Sequence, residues 1–315
     1  MTSSDATFIP VTTPSRPRRI GIVLARNIPG KAISALEFLL LHLNTVQSYF
    51  EYQLPPPPEG NSLLERVSTA ECLDVGTARE LLRAFRQEAQ SFHADMISRF
   101  KRKEEPPEVY IVISCIKLSN SYYGIIEEGS ELMALGDWDI VMAPPSLLEC
   151  ILTLVVTSSV HLATHSVRGH SHLGTKGCLF DFNVELKRTR YKVLQNFICA
   201  ECCSQFDGNG DEELLSAIRA MTSRTWLGET SDAGSPAGIV KSLGYDLFQR
   251  TGFTPSLRQR FMMTLESEGF KELIKGVTAL LLAGLVGFIS VKVASKDKPT
   301  EPLKIEIIPQ KKTGG

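Results

Sequence analysis

The stretch PSLLECILTLVVTSSVHLATH, residues 145–165, decides our interpretation of the fold. Ser146 and Glu149 form a capping-box pattern directly after a proline, which predicts the start of a helix. The residues that follow are apolar on nearly every side, so we expect this helix to lie inside a domain core and not on its surface. His161 and His165 are four residues apart and therefore share one face of the helix.

Strand and helix patterns alternate in the chain before this helix. A leucine-rich stretch of helical length and composition predicts a helix over 32–49, and apolar residues at helical spacing predict one over 81–96. β-branched and apolar runs predict strands at 19–26, 50–54, 109–116, 122–126 and 139–143. This alternation predicts an α/β (α+β) domain with a mixed sheet and a buried motif helix. We expect residues 1–18 to form a flexible N-terminal segment.

The composition is that of a folded globular protein. Of 315 residues, 43% are hydrophobic, and 34 lysines and arginines nearly balance 35 aspartates and glutamates. This balance excludes a general attraction to nucleic acid or to an anionic surface. The basic run Arg188, Arg190 and Lys192 lacks interleaved aromatic residues beyond Tyr191, so we interpret it as a solvated helix face and expect no nucleic acid partner.

The N-terminus and the cysteine content point to a reducing compartment. No apolar core of a secretory signal lies near the start, so we expect a cytoplasmic domain that is not secreted. The seven cysteines are odd in number and include the cluster CAECC, which fits metal ligation better than a disulfide framework. Four of the six histidines lie within 161–172, which suggests metal chemistry or a local structural reason.

The spacing of Cys178, Cys199 and Cys202 predicts a structural zinc site that a histidine completes. Two alternatives remain open: three ordinary buried thiols, or a redox Cys-x-x-Cys pair. His161 and His165 could hold a catalytic metal, because imidazoles on successive helical turns converge. The alternative is a pair of histidines packed on a buried helix.

This segment resembles the archaemetzincins, metallopeptidases whose active helix carries H-E-x-x-H-x-x-G-x-x-H and whose later cysteines bind a second zinc. With His172 on the family's third histidine, Gly169 falls on its glycine and Cys178 on its second cysteine without a gap. Cys199 and Cys202 match its closing Cys-x-x-Cys.

The resemblance covers residues 19–206 and implies a zincin-like zinc-binding domain there. Leu173 stands where the family has its first zinc-site cysteine, so the resemblance implies that His172 or His170 is the fourth ligand beside the three cysteines.

The active helix departs from the family pattern. In the ungapped frame Leu162 and Ser166 occupy the first two histidine positions and Ala163 the glutamate position. A shift of one residue restores His161 and His165 but leaves the glutamate missing. That glutamate is the general base for zinc-bound water. We therefore predict a degenerate peptidase site, that is, a pseudoenzyme with bound zinc.

Two other functions stay open at this point. The chain could be an active zinc metallopeptidase in which His161 and His165, with His170 or His172, hold a catalytic zinc and an acid from elsewhere acts as the base. It could also be a non-enzymatic interaction or effector module with a structural zinc and a peptide or protein ligand.

The chain beyond 206 is predicted to be helical and membrane-associated. We expect a helix and linker over 207–234, a helical region over 235–298 and a basic tail over 299–315. Its uncharged run GVTALLLAGLVGFISV, residues 276–291, is just short of the about 20 residues that span a bilayer. A stripe of small residues in this run could support self-association: Ala279, Ala283 and Gly287. The alternative is a buried core helix or an oligomer contact.

Overall fold

The structure is a computed structural model that describes residues 16–136, 138, 144–163, 172–173, 177–183, 186–208, 211–245 and 247. These residues belong to one compact unit, Met1–Thr254. Several predicted features lie outside the described residues: the N-terminal segment up to residue 15, the strand at 139–143, His165, His170, the apolar run 276–291 and the basic tail 299–315.

The strands of this unit are named in chain order. They are β1 Arg18–Leu24, β2 Phe50–Gln53, β3 Cys72–Leu73, β4 Val109–Ser114, β5 Lys117–Leu118, β6 Gly124–Glu127, β7 Ser130–Ala134, β8 His172–Leu173 and β9 Asp181–Phe182. Five of them form the central sheet in the order β2-β1-β4-β7-β6. Its pairs are parallel except for β6 with β7, which is antiparallel. The predicted mixed sheet is thus confirmed, and it is mostly parallel.

The helices cover both faces of this sheet. They are α1 Gly30–Val46, α2 Ser62–Thr69, α3 Val75–Arg99, α4 Leu147–Ala163, α5 Leu186–Gln195, α6 Ala200–Gly208, α7 Glu212–Thr222 and α8 Pro236–Ser242. Ile111 and Ile113 of β4 face the core that contains α1 and α4, whereas Tyr110 and Val112 face α3. A parallel strand covered on both faces is apolar throughout, which explains the predicted run at 109–116.

Helix α4 begins where the sequence predicts it. The backbone N–H of Ser146 donates to Glu149 Oε2 at 2.8 Å, and the N–H of Glu149 donates to Ser146 Oγ at 3.4 Å. The predicted capping box is therefore confirmed, because each side chain satisfies one free backbone donor of the first turn. The helix is buried along most of its length, and His161 lies in its last turn.

Elements after residue 206 pack into the same core. Leu214 and Ile218 of α7 and Ala237 and Val240 of α8 are buried in the cluster that contains α1 and α4. Ser235 caps α8 by accepting the N–H of Gly238 at 3.0 Å. The segment 207–234, which the sequence predicts to contain a linker, lies within the compact unit Met1–Thr254.

None of the helices in the described part of the chain combines the length and the apolar character that a bilayer crossing requires. The predicted membrane segment 276–291 lies outside that part. Its association with a membrane therefore stays a prediction.

Candidate metal centre

Four side chains that can bind a metal converge between β8, the turn before β9 and the start of α6. They are His172, Cys178, Cys199 and Cys202, and one ligand atom from each lies within 4.8 Å of all the others. His172, Cys178 and Cys202 are buried, and Cys199 is half-buried. This cluster is the one group of histidine, cysteine and acidic side chains among the described residues that could hold a metal ion.

The distances within the cluster are close to those of a tetrahedral site. Cys178 Sγ and Cys202 Sγ are 3.9 Å apart. His172 Nε2 is 3.0 Å from Cys202 Sγ and 3.2 Å from Cys199 Sγ. Tetrahedral zinc, with Zn–S of about 2.3 Å and Zn–N of about 2.0 Å, places two sulfurs about 3.8 Å apart and sulfur and nitrogen about 3.5 Å apart. Small side-chain movements would therefore give zinc four ligands.

A tight turn presents Cys178 to the cluster. The carboxylate Oδ2 of Asp181 accepts the backbone N–H of Gly177 at 2.5 Å and that of Cys178 at 3.1 Å. Gly177 has φ of +80°, and a Cβ there would collide with Gln195. Glycine is needed at this position because other residues strain in this backbone region. The turn is joined to the chain before α6 by the N–H of Leu179, which donates to Phe197 O at 2.7 Å.

The start of α6 positions the other two cysteines. Cys199 directly precedes the helix and Cys202 lies in its first turn, so the Cys-x-x-Cys spacing places both thiols at its N-terminal end. The helix dipole stabilises negative charge there, which favours thiolates. The backbone N–H of Cys199 also donates to Cys178 Sγ at 3.3 Å, the type of bond that supports a thiolate ligand.

His172 is oriented for metal binding through Nε2. Its Nδ1 lies 3.6 Å from Oε2 of Glu201, an exposed carboxylate on α6. In a histidine ligand the N–H of the second ring nitrogen commonly donates a hydrogen bond to a carboxylate, which fixes the tautomer. Of the two histidines that the sequence left open, His172 joins the three cysteines, and His170 lies outside the described residues.

Hydrogen bonds within the cluster favour the thiolate form of one cysteine. The pKa of Cys178 is lowered, first because the Cys202 thiol donates to it and then because the backbone N–H groups of Cys199 and Phe180 do so. The pKa of Cys202 is raised because that same bond needs its proton. Zinc would replace this proton and hold both sulfurs as thiolates.

The other predicted ligands lie apart from the cluster or outside the described residues. His161 is half-buried and its ring lies 5.8 Å from that of Phe180, and it does not join the four ligands. Cys203 does not join them either: its sulfur accepts from Arg219 Nη2 at 3.4 Å. His165 and His170 lie outside the described residues.

A cavity of about 240 Å³ lies beside this four-residue cluster and contains groups that the sequence did not reveal. Glu131 and Lys192 line it and are both buried. The interpretation of the basic run as a solvated face is wrong for Lys192, which is 1% exposed because α5 turns it toward Tyr123. Its position beside the buried Thr189 and Val193, at helical spacing, is the sequence signal that could have shown this.

No family model matches the chain, and no curated protein matches it. A search of solved structures finds a similarity to the crystal structure of archaemetzincin (amzA) from Methanopyrus kandleri. The identity is 12%, the match covers 64% of this chain and 99% of that one, and the TM-score is 0.37. At so low a TM-score this likeness supports no statement about activity.

Proposed function

We propose that this chain is a zinc-binding protein in which His172, Cys178, Cys199 and Cys202 hold one structural zinc ion. The observation that carries the proposal is the convergence of three sulfurs and one imidazole nitrogen within 4.8 Å from separate segments of the chain. Three cysteines and one histidine form a ligand set typical of closed, four-coordinate zinc sites. Such a site leaves no open position for a substrate.

The zinc would hold β8, the turn at Cys178 and the start of α6 together. β8 and β9, the strands on either side of Cys178, have only two residues each. A structural zinc contributes on the order of 10 kcal/mol of apparent binding free energy, which is comparable with the whole stability of a domain. We therefore assign the metal a structural role.

The peptidase site is proposed to be degenerate. The support is the sequence register, in which Leu162 or Ala163 occupies the position of the catalytic glutamate. A peptidase without this general base loses a contribution of typically about 10² to 10⁴ in rate. The archaemetzincin-like identity of the domain rests on that register and on the match of the cysteines, and it is part of the same proposal.

An active zinc metallopeptidase is the second candidate, and one observation favours it. Glu131 lines the same cavity as His161, so an acid from another element lies near the helix that carries the histidines. In that case His161 would bind a second, catalytic zinc. A non-enzymatic interaction module with the same structural zinc is the third candidate, and it differs from the first only in having a protein or peptide ligand.

Zinc counting tests the proposal and separates the candidates. Elemental analysis of the purified full chain should give one zinc per chain in the wild type, in His161→Ala and in Cys203→Ser. Cys203→Ser is the matched control because it removes an adjacent thiol outside the cluster. Cys199→Ser should lose the zinc. Two zincs per chain, one of them lost in His161→Ala, together with chelator-sensitive peptide cleavage, would establish the second candidate instead.

A further inference from the structure

The cavity beside the four proposed zinc ligands has a floor of buried polar side chains. None of these side chains is a proposed zinc ligand. The cavity lies between the β6–β7 hairpin, α4, the segment at 180–183 and α5. Glu131 comes from β7, Asp181 and Asn183 from the segment at and after β9, and Lys192 from α5. Each of these four side chains is at most 4% exposed. Polar groups buried this deeply normally have partners.

Three oxygen atoms of this floor have no hydrogen-bond partner among the described residues. They are Glu131 Oε2, Asp181 Oδ1 and Asn183 Oδ1. An unpaired buried polar group is costly, so three in one cavity indicate a missing set of donors. Carboxylate oxygens accept only, and the amide oxygen of asparagine is also an acceptor. The occupant that completes this site must therefore donate hydrogen bonds.

The charges of the floor favour a positive occupant. With both acids ionised, Glu131 and Asp181 carry two negative charges against the single positive charge of Lys192. Lys192 Nζ donates to the hydroxyl of Tyr123 at 3.3 Å and lies 5.6 Å from the centre of that ring. One uncompensated negative charge thus remains, and a monovalent cation would balance it.

The position of Glu131 is fixed by its neighbours. Ser158 of α4 forms a hydrogen bond with its carboxyl group. A Cβ at Gly124 would lie 2.8 Å from Glu131 Oε1, so the glycine leaves room for the carboxyl group against β6. The acid is therefore held in place by its surroundings.

The walls of the cavity are aromatic. Tyr122 and Phe182 pack edge to face with ring centres 6.0 Å apart, and Phe180 lies deeper. Phe182 is 39% exposed, so the aromatic rim is open to solvent. Aromatic faces attract cations, and the attraction grows when the cation is removed from water. Aromatic walls and a floor of carboxylates both attract positive charge. Together they favour an organic cation over a neutral molecule of the same shape.

We propose that this cavity binds a small organic cation, a primary ammonium or guanidinium group on a short aliphatic stem, with Glu131, Asp181 and Asn183 as its acceptors. The cavity, at about 240 Å³, is smaller than the about 300 to 1,000 Å³ of drug-sized ligand sites. It therefore fits a head group with a few carbons. This site goes beyond the proposed zinc function and does not depend on catalysis.

Isothermal titration of the zinc-loaded full chain at pH 8 tests the site. The probes are n-butylammonium, n-butylguanidinium and the neutral n-butylurea, which has nearly the shape of the guanidinium. At least one cation should bind about tenfold or more tightly than the urea. Glu131→Gln should reduce this preference by about tenfold, because it removes the charge and retains the shape. Glu128→Gln, in the exposed turn beside β6, is the matched control and should leave the affinity unchanged.

A second variant tests the same site if Glu131→Gln does not fold. Asn183→Leu removes one acceptor at similar volume and should weaken cation binding severalfold with its zinc retained. Equal binding of the cations and the urea, absence of cation binding, or a cation affinity that neither variant changes would overturn the proposal. Zinc is measured in every sample, so a protein that has lost its metal is distinguished from one that has only lost the cation.

Discussion

Replacing Glu131 by glutamine should change how the stability of this protein depends on pH. Glu131 is 4% exposed, and burial raises the pKa of its carboxyl group to about 7, against the opposing effects of the Ser158 hydrogen bond and the charge of Lys192. The folded protein therefore keeps this proton at pH values where an unfolded chain has released it. Glutamine keeps nearly the same shape and has no proton to lose.

The sign and size follow from proton linkage. In the unfolded chain this carboxyl group has its usual pKa of 4.5, and in the folded chain its pKa is about 7. Between these values the folded state binds more protons, so the free energy of unfolding falls as the pH rises. One pKa unit corresponds to about 1.4 kcal/mol, so the full loss is on the order of 3 kcal/mol. Relative to the wild type, Glu131→Gln should gain less than about 1 kcal/mol at pH 5 and about 3 kcal/mol at pH 7.5.

Urea unfolding of the zinc-loaded protein between pH 5 and pH 7.5 measures this difference. The range ends at pH 7.5 because burial lowers the pKa of Lys192 to about 8, and its titration would add to the difference above that. Glu128→Gln is the control and should follow the wild-type curve, since this carboxylate is exposed. The reasoning is refuted if Glu131→Gln differs from the wild type by the same amount at every pH, or if it is less stable at pH 7.5.

Two further predictions concern the metal and the membrane. Cys199→Ser should lose zinc and make residues 166–206 accessible to limited proteolysis. Strand β4 should stay protected because it is covered on both faces. If the variant keeps its zinc and its resistance to proteolysis, the assigned site is wrong. Full-length protein should float with lipid vesicles, and Leu281→Arg should abolish flotation, because an arginine at the centre of a spanning helix costs about 3 kcal/mol. Equal flotation of both proteins would show that 276–291 does not insert.

Local signals allowed much of the fold to be predicted. The capping box at Ser146 and the continuous apolar run of β4 depend on neighbouring residues, and both elements are found as expected. Strand β7 was missed because Glu131 interrupts its apolar pattern. Glu131 of β7 faces a cavity on one side of the sheet, and this cavity forms only in the tertiary structure. Places where local patterns fail in this way are often functional.

The candidate site was only partly visible in the sequence. The spacing of the three cysteines indicated their role, but spacing could not choose between His170 and His172. In the structure His172 lies in β8, where it pairs with Asp181, and its Nε2 lies close to Cys202 of α6, whereas His170 lies outside the described residues. Lys192 was misinterpreted for a related reason. A lysine is usually solvated, and only the packing of α5 against α4, together with the contact of Lys192 with Tyr123, shows that this one is buried.

Asp181 connects the two sites, and this connection can be tested. Its Oδ2 holds the turn that presents Cys178, while the same side chain lines the cavity with Oδ1 lacking a partner among the described residues. Zinc should order this turn and with it one wall of the cavity, so Cys178→Ser should weaken cation binding as well as remove the metal. Glu131→Gln should weaken cation binding alone, because Glu131 lies on β7 and is not among the metal ligands. If Cys178→Ser binds n-butylammonium as tightly as the wild type, Asp181 does not couple the two sites and the cavity forms without zinc.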